Sequence, residues 1–311
     1  MSPSPPPVSA SDADSARTRE VLRRLELDVT RRLDGLLQGD YRGLVPGLGS
    51  EPGETRAYSP GDDVRRMDWN VTARMSEPHV RESIADRELE TTVLVDMAPS
   101  LDFGTAQHTN AELAVAAVAA IGLLTDRAGN RLGAIVNDGA QIRDIRPGSG
   151  RRHLLSVLHR LSTTEPQRGD VTLSDALVRL AGPGHRGGLA VVISDLLRPG
   201  WKDALRAVSL RHQTLVIEVV DPRELVLPNV GLIELADART GRKVEVDTRS
   251  AKVRERFAEA GIARLEDHAR DVRATRADHL VLRTDRDWVL DLAKFVDQRR
   301  RRRHASAPAV A

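Results

Sequence analysis

Two apolar runs far apart in the chain each end on a carboxylate, and this feature restricts the fold most. The first, TTVLVDMAPS from Thr91 to Ser100, carries Val93, Leu94 and Val95 without polar interruption and reaches Asp96 where a buried strand would stop. The second, GLAVVISDLL from Gly188 to Leu197, finishes in the same way on Ser194 and Asp195. Strands without polar alternation suit a parallel sheet covered on both faces, and open α/β sheets place their ligands at the carboxyl ends of such strands. Two neighbouring strand ends of this chemistry can share a hard cation.

The remaining pattern alternates strand and helix. An Ala-rich apolar helix from Leu113 to Leu124 is followed by the strand RLGAIVN, a turn at Asp138 and Gly139, and the strand QIRDIRP. Helices are expected over Arg151–Leu161, Leu173–Leu180 and Trp201–Leu210, and a further apolar strand over Thr214–Val220. The fold class is therefore α/β, a mostly parallel sheet whose right-handed crossovers require helices on both faces. Past Pro222 two alternating segments joined at Thr240 and Gly241 read as an added β-hairpin. A long polar helix (Arg249–Arg273), a strand (Asp278–Thr284) and a closing helix capped by Asp287 complete the body.

This gives four regions: a Pro- and Ser-rich disordered tail (1–16), a segment with an amphipathic helix over Arg17–Leu37 (17–90), the α/β body with its hairpin near 225–247 (91–298), and a basic flexible tail (299–311). A chain of 311 residues can bury a sizeable core, and 40% hydrophobic with 30% charged residues marks a globular class. Aromatics make up only 3%, so that core must be aliphatic. The absence of cysteine excludes disulfides, thiolate metal sites and a Cys nucleophile, and the cytoplasm is the expected compartment. No run is long enough to span a bilayer and no signal peptide precedes the body. The +2 net charge implies no general polyanion binding, because 45 acids are interspersed among 47 bases, nearly all of them arginine.

The densest polar cluster, Ala57 to Glu82, mixes charges of both signs around Trp69. Tyr58, Gly61, Asp62, Asp63, Arg65, Asp68, Trp69 and Arg74 read either as a salt-bridge network docking the N-terminal segment or as a partner-docking surface anchored by Trp69 and Arg74. The run Arg299, Arg300, Arg301, Arg302 and Arg303 supports a competing nucleic-acid reading, but stacking aromatics and reading motifs are missing, and a solvated tail is the simpler account. No P-loop, HExxH or GxSxG occurs, so neither ATP hydrolysis nor a metal-dependent hydrolase has a motif behind it and no enzymatic activity is expected.

YSPGDDVRRMDW, the TAR that follows it, the strand ending in DxxxS and the later strand ending in SDL resemble the family catalogued as domain of unknown function fifty-eight, over roughly Gly39 to Val220. The resemblance implies a body similar to a von Willebrand factor A domain, a Rossmann-like sheet flanked by helices. It also implies a MoxR-type AAA+ ATPase as partner and an adaptor role in remodelling a client protein. Such domains often carry a metal-ion-dependent adhesion site with a DxSxS strand exit, a Thr and a further Asp. Asp96 and Ser100 match it, Ala98 replaces one hydroxyl, and Thr172 and Asp195 stand where the remaining ligands belong. Mg²⁺ takes oxygen ligands and keeps several waters, so a degenerate, weakened Mg²⁺ site is the expectation. The alternative role for Asp96, Ser100 and Asp195 is capping helices and tying loops.

Overall fold

The computed structural model describes residues 24–25, 27–36, 55–58, 67–75, 77–81, 90–106, 108–185, 187–238 and 240–306. The N-terminal tail, the glycines between 39 and 53, and Gly61, Asp62, Asp63 and Arg65 lie outside them. Before the body come helical residues 27–36 (α1), a short antiparallel pair, β1 (Thr55–Ala57) and β2 (His79–Arg81), and α2 (Trp69–Met75).

Six strands form the main sheet: β3 (Glu90–Asp96), β4 (Arg131–Asn137), β5 (Ile142–Gly148), β6 (Gly188–Ser194), β7 (Gln213–Val220) and β10 (Asp278–Arg283). Their order is β10-β7-β6-β3-β4-β5, with every pair parallel except β4 with β5. This is the doubly wound, Rossmann-like order expected of a von Willebrand A-type body. β8 (Leu232–Ala236) and β9 (Lys243–Asp247) form the separate antiparallel hairpin.

The alternation of side chains along each strand divides the core into two layers. Val93 and Val95, Val191 and Ile193, and Ile217 and Val219 point to one face, where α3 (Asn110–Arg127), α4 (Arg151–Ser162) and α8 (Trp288–Ser306) cover them. Leu94, Ile135, Val192 and Val216 point to the other, under α5 (Leu173–Leu180), α6 (Lys202–Ser209) and Val272 of α7 (Ala251–Ala274). Helices on both faces follow from the order, because the chain moves away from β3 in opposite directions and right-handed crossovers then need opposite faces.

Ala supplies much of the α3 surface toward the sheet, which lets that helix approach closely. Gly122 sits where an added Cβ would come within 2.3 Å of Leu154 on α4. On α1, the fully buried Val29 and Leu33 join the first layer, and ion pairs from Arg32 to Asp287 and from Arg127 to Asp34 fix its edge. The arginine run expected as a flexible tail is instead part of α8, which continues to Ser306. Arg299 explains why, since its side chain is 9% exposed and its Nε lies 2.8 Å from Asp278 on β10.

Candidate functional site

The direction of the sheet's winding changes between β3 and β6, and the loops leaving these two strands part to opposite faces and open a crevice at their carboxyl ends. Asp96 closes β3, and Asp195 follows the last residue of β6. Pairing of Val95 with Ile193 closes the long separation in sequence, so both carboxylates flank the crevice.

Asp96 is buried. Its Oδ1 accepts from Asn137 Nδ2 at 2.8 Å and its Oδ2 from Ser194 Oγ at 3.0 Å. Asn137 stands opposite it in the β3–β4 register, and its own Oδ1 takes the Gly139 N–H at 3.0 Å. Burial, followed by repulsion from Asp195, pushes the Asp96 carboxyl up to about 7, even though Ser194, Asn137 and Arg198 all favour its charged form. The Asp195 carboxyl is also raised by burial, tempered by the Ser100 hydroxyl, the Leu197 N–H at 3.1 Å from Oδ1, and Arg264. Its Oδ2 is buried without a hydrogen-bond partner among the described residues. The next residue, Leu196, holds a left-handed φ of 55° while buried, a conformation costing about 1–3 kcal/mol that the surrounding loop must enforce.

Thr172 caps α5. Its hydroxyl donates to Asp175 Oδ2 at 2.7 Å and accepts from the Asp175 N–H at 3.2 Å. The loop carrying it is pinned to the β4–β5 turn by Gln167 N–H to Asp138 O at 2.7 Å and Val171 N–H to Gly139 O at 3.1 Å. Only glycine fits at 139, where φ is 96° and a Cβ would lie 2.2 Å from the Gln167 carbonyl.

Ser100 and Thr172 line a cleft of about 690 Å³ over the crevice, walled further by the loop after β6, the turn after β7, the tip of β8 and α7. The hairpin read as an addition to the body is thus one wall of the site. Four arginines reach the cleft from four different segments: Arg168, Arg198, Arg223 and Arg264. Sequence reasoning assigned none of them to this site, because single arginines in a chain so rich in them give no local signal. It also missed Asn137, although a polar residue closing the apolar run RLGAIVN was a sign.

Hard oxygen donors suit Mg²⁺, and the Asp195 Oδ2, without a partner among the described residues, is the feature that most favours a cation. Both Asp96 oxygens and the Thr172 hydroxyl already serve protein partners, and Ala98 brings no hydroxyl. Among the described residues no three His, Cys, Asp or Glu side chains gather closely enough to hold a metal ion. The remaining donors are thus engaged within the protein, and Asp195 Oδ2 is the carboxylate oxygen of this set left without a partner among the described residues.

The other sequence candidates lie elsewhere. Asp68 is buried and caps α2, accepting from the Val71 N–H at 3.2 Å; Tyr58 is half-buried; Trp69 and Arg74 are exposed. An ion pair joins Arg301 to Asp297 at 2.9 Å, Arg302 also has a partner, and the side chains of Arg300 and Arg303 are outside the description. No helix among the described residues is long and apolar enough to cross a membrane.

At the same edge of the sheet, Glu218 on β7 was not singled out in the sequence, though a carboxylate inside the apolar run QTLVIEVV was a visible signal. It is buried, with Oε1 2.7 Å from His268 Nδ1 and Oε2 2.9 Å from His279 Nε2. Asp221, just past β7, accepts from Thr105 N–H at 2.8 Å, Thr105 Oγ1 at 2.6 Å, Thr284 Oγ1 at 3.0 Å and Arg223 N–H at 2.8 Å.

Two mycobacterial proteins resemble nearly the whole chain. "Uncharacterized protein Rv1480" of Mycobacterium tuberculosis and "Uncharacterized protein Mb1516" of Mycobacterium bovis are each 50% identical over 306 residues, covering 96% of this chain and 94% of theirs. Among solved structures, an aerotolerance-related membrane protein of Bacteroides fragilis has a TM-score of 0.44 at 17% identity, covering 69% of this chain and 99% of that one. BatB of Bacteroides thetaiotaomicron has 0.42 at 16%, covering 68% and 99%. These structural likenesses are too distant to carry the site. A family model matches residues 54–267, beyond the span that the motifs alone cover and including the hairpin, and the chain therefore belongs to the family described as "Protein of unknown function DUF58".

Proposed function

We propose that this protein is a non-enzymatic protein-binding module of the cytoplasm whose working surface is the switch-point cleft, and that it serves as an adaptor for a MoxR-type AAA+ ATPase acting on a client protein. The observation that carries this reading is that Asp96 and Asp195 stand at the ends of two adjacent strands beneath a cleft lined by Ser100 and Thr172, with both carboxyls raised and one buried carboxylate oxygen unpartnered among the described residues. Such an arrangement supports weak binding of Mg²⁺ by Asp195 and Ser100, with Asp96 acting through water. The bound ion would neutralise the two acids and offer an open position to a partner's oxygen. Of the two cleft hydroxyls, Thr172 is engaged as the cap of α5 with Asp175 and Ser100 with the buried Asp195, and binding is favoured over catalysis on that ground.

Calorimetric titration of Mg²⁺ and Mn²⁺ into wild type and Asp195→Asn tests the cation. Millimolar affinity in wild type and none in the variant is expected, and the absence of heat and of any thermal shift in wild type rejects it. Size-exclusion chromatography with a purified MoxR-type ATPase and a non-hydrolysable ATP analogue tests the partner. Co-elution that Ser100→Ala weakens is expected; separate elution at tens of micromolar rejects the adaptor role.

A further inference from the structure

We infer that the cleft recognises an acidic, partly apolar peptide segment of a partner protein through its arginines, a reading that rests on the cleft being the interaction surface but not on a bound cation. Arg168 comes from the loop before α5, Arg198 from the loop after β6, Arg223 from the turn after β7 and Arg264 from α7. Four guanidiniums brought together from segments scattered over the chain repel one another, and only the Glu224 and Asp237 carboxylates in the same lining oppose them. This leaves a positive surplus of two in the lining.

Two of the arginines are held in place by the protein. Arg198 Nη1 donates to the Val171 carbonyl at 2.9 Å, and Arg264 Nη2 lies 3.4 Å from Glu224 Oε2. The Arg264 side chain is 31% exposed, so its guanidinium can take an incoming carboxylate as a further partner beside Glu224. Around these charges stand Phe103, Leu197 and Leu235, which are roughly two-fifths exposed, and Phe257. Exposed apolar surface mixed with fixed guanidiniums fits side chains of both kinds on one short segment.

The surplus matches one or two carboxylates. An oligonucleotide would bring a phosphate at every residue against Glu224, Asp237 and the acids below, and would need a long groove tracking its backbone. A cleft of about 690 Å³ has the size of a pocket for a few side chains.

The probe is a phage-displayed library of random dodecapeptides selected on the full chain, followed by fluorescence anisotropy with a labelled peptide from the selected pool. Pools enriched in Asp and Glu are expected. Affinity should fall roughly tenfold or more in Arg168→Gln/Arg223→Gln, two exposed positions whose loss leaves folding intact, and similarly in Arg198→Gln. Replacing the peptide's acids by their amides should weaken binding to the same extent, and EDTA should leave it unchanged.

A pool without acidic bias overturns the inference, as does full binding by the arginine variants or displacement by tripolyphosphate at lower concentration than by the acidic peptide. Capture abolished by EDTA but kept in the arginine variants would reject these arginines and uphold the cation. Loss in the arginine variants with or without EDTA upholds the arginines even if the cation fails.

Discussion

The acids at the carboxyl edge of the sheet fall into two groups that the fold treats in opposite ways. On and just after β7, burial works to raise Glu218 and Asp221, but His268 and His279 around the first, and Thr105, Arg223 N–H and Thr284 around the second, outweigh it and hold both below the usual carboxylate range. At the ends of the next two strands, β6 and β3, burial prevails at Asp195 and Asp96, and both are raised. Burial is common to all four. What differs is what faces each carboxylate: two imidazoles at Glu218 and four hydrogen-bond donors at Asp221, against neutral donors and a second, repelling carboxylate at Asp96. This separates acids that hold the molecule together from acids whose charge awaits a partner.

The largest expected effect lies on the satisfied side. Glu218→Ala leaves two half-buried imidazoles facing an apolar gap and unfastens α7 and β10 from β7, so urea unfolding should show a loss of roughly 3–5 kcal/mol. If the loss is below about 1 kcal/mol, the two groups do not differ as described. Asp221→Ala removes the acceptor of four hydrogen bonds and should cost about 2–3 kcal/mol in the same assay. The stability contributed by these two acids is present at neutral pH and is lost as pH falls below about 4 through their depressed folded values.

Asp96 should behave with the opposite sign. Between roughly pH 4 and 7 its folded carboxyl keeps a proton that the unfolded chain has released, so its contribution is complete below pH 4 and is lost as pH rises through about 7. A carboxyl held near 7 disfavours its charged form by about 4 kcal/mol at most. Asp96→Asn should therefore stabilise the protein by about 1–2 kcal/mol at pH 8, less than that limit because the amide matches only one of its two donors. The gain should vanish near pH 4, as thermal melts across pH can show. A destabilised variant at pH 8 would place Asp96 with the structural acids. The smallest effect is expected for Ser100→Ala, which removes one donor from Asp195 and should shift stability by less than about 1 kcal/mol while raising the Asp195 carboxyl further. Carbon-detected NMR titration of the carboxyl resonances would register that rise.

Several of these features were legible in the linear chain because they repeat or stand adjacent. The runs Val93–Val95 and Leu189–Ile193 announced buried strands, Asp138 and Gly139 announced the hairpin turn, and Asp287 does accept from the Leu290 N–H at 3.1 Å to cap α8. Asp96 and Asp195 could be paired in advance because each ends such a run. Thr172 was read as a cation ligand from the family resemblance, and the structure shows it as the cap of α5. Arg299 looked like part of a tail because its partner, Asp278, lies on a strand that only the folded sheet brings beside it.

The sequence by itself determined the strands, the helices and the positions of the two terminal carboxylates, since periodic burial and local turn chemistry act over a few residues. Only the tertiary structure decided which acids are neutralised and which are left raised, and which arginines converge on the cleft. Those outcomes depend on distances between segments separated by tens to hundreds of positions, and electrostatic energy in a buried site is set by such distances and by the exclusion of water.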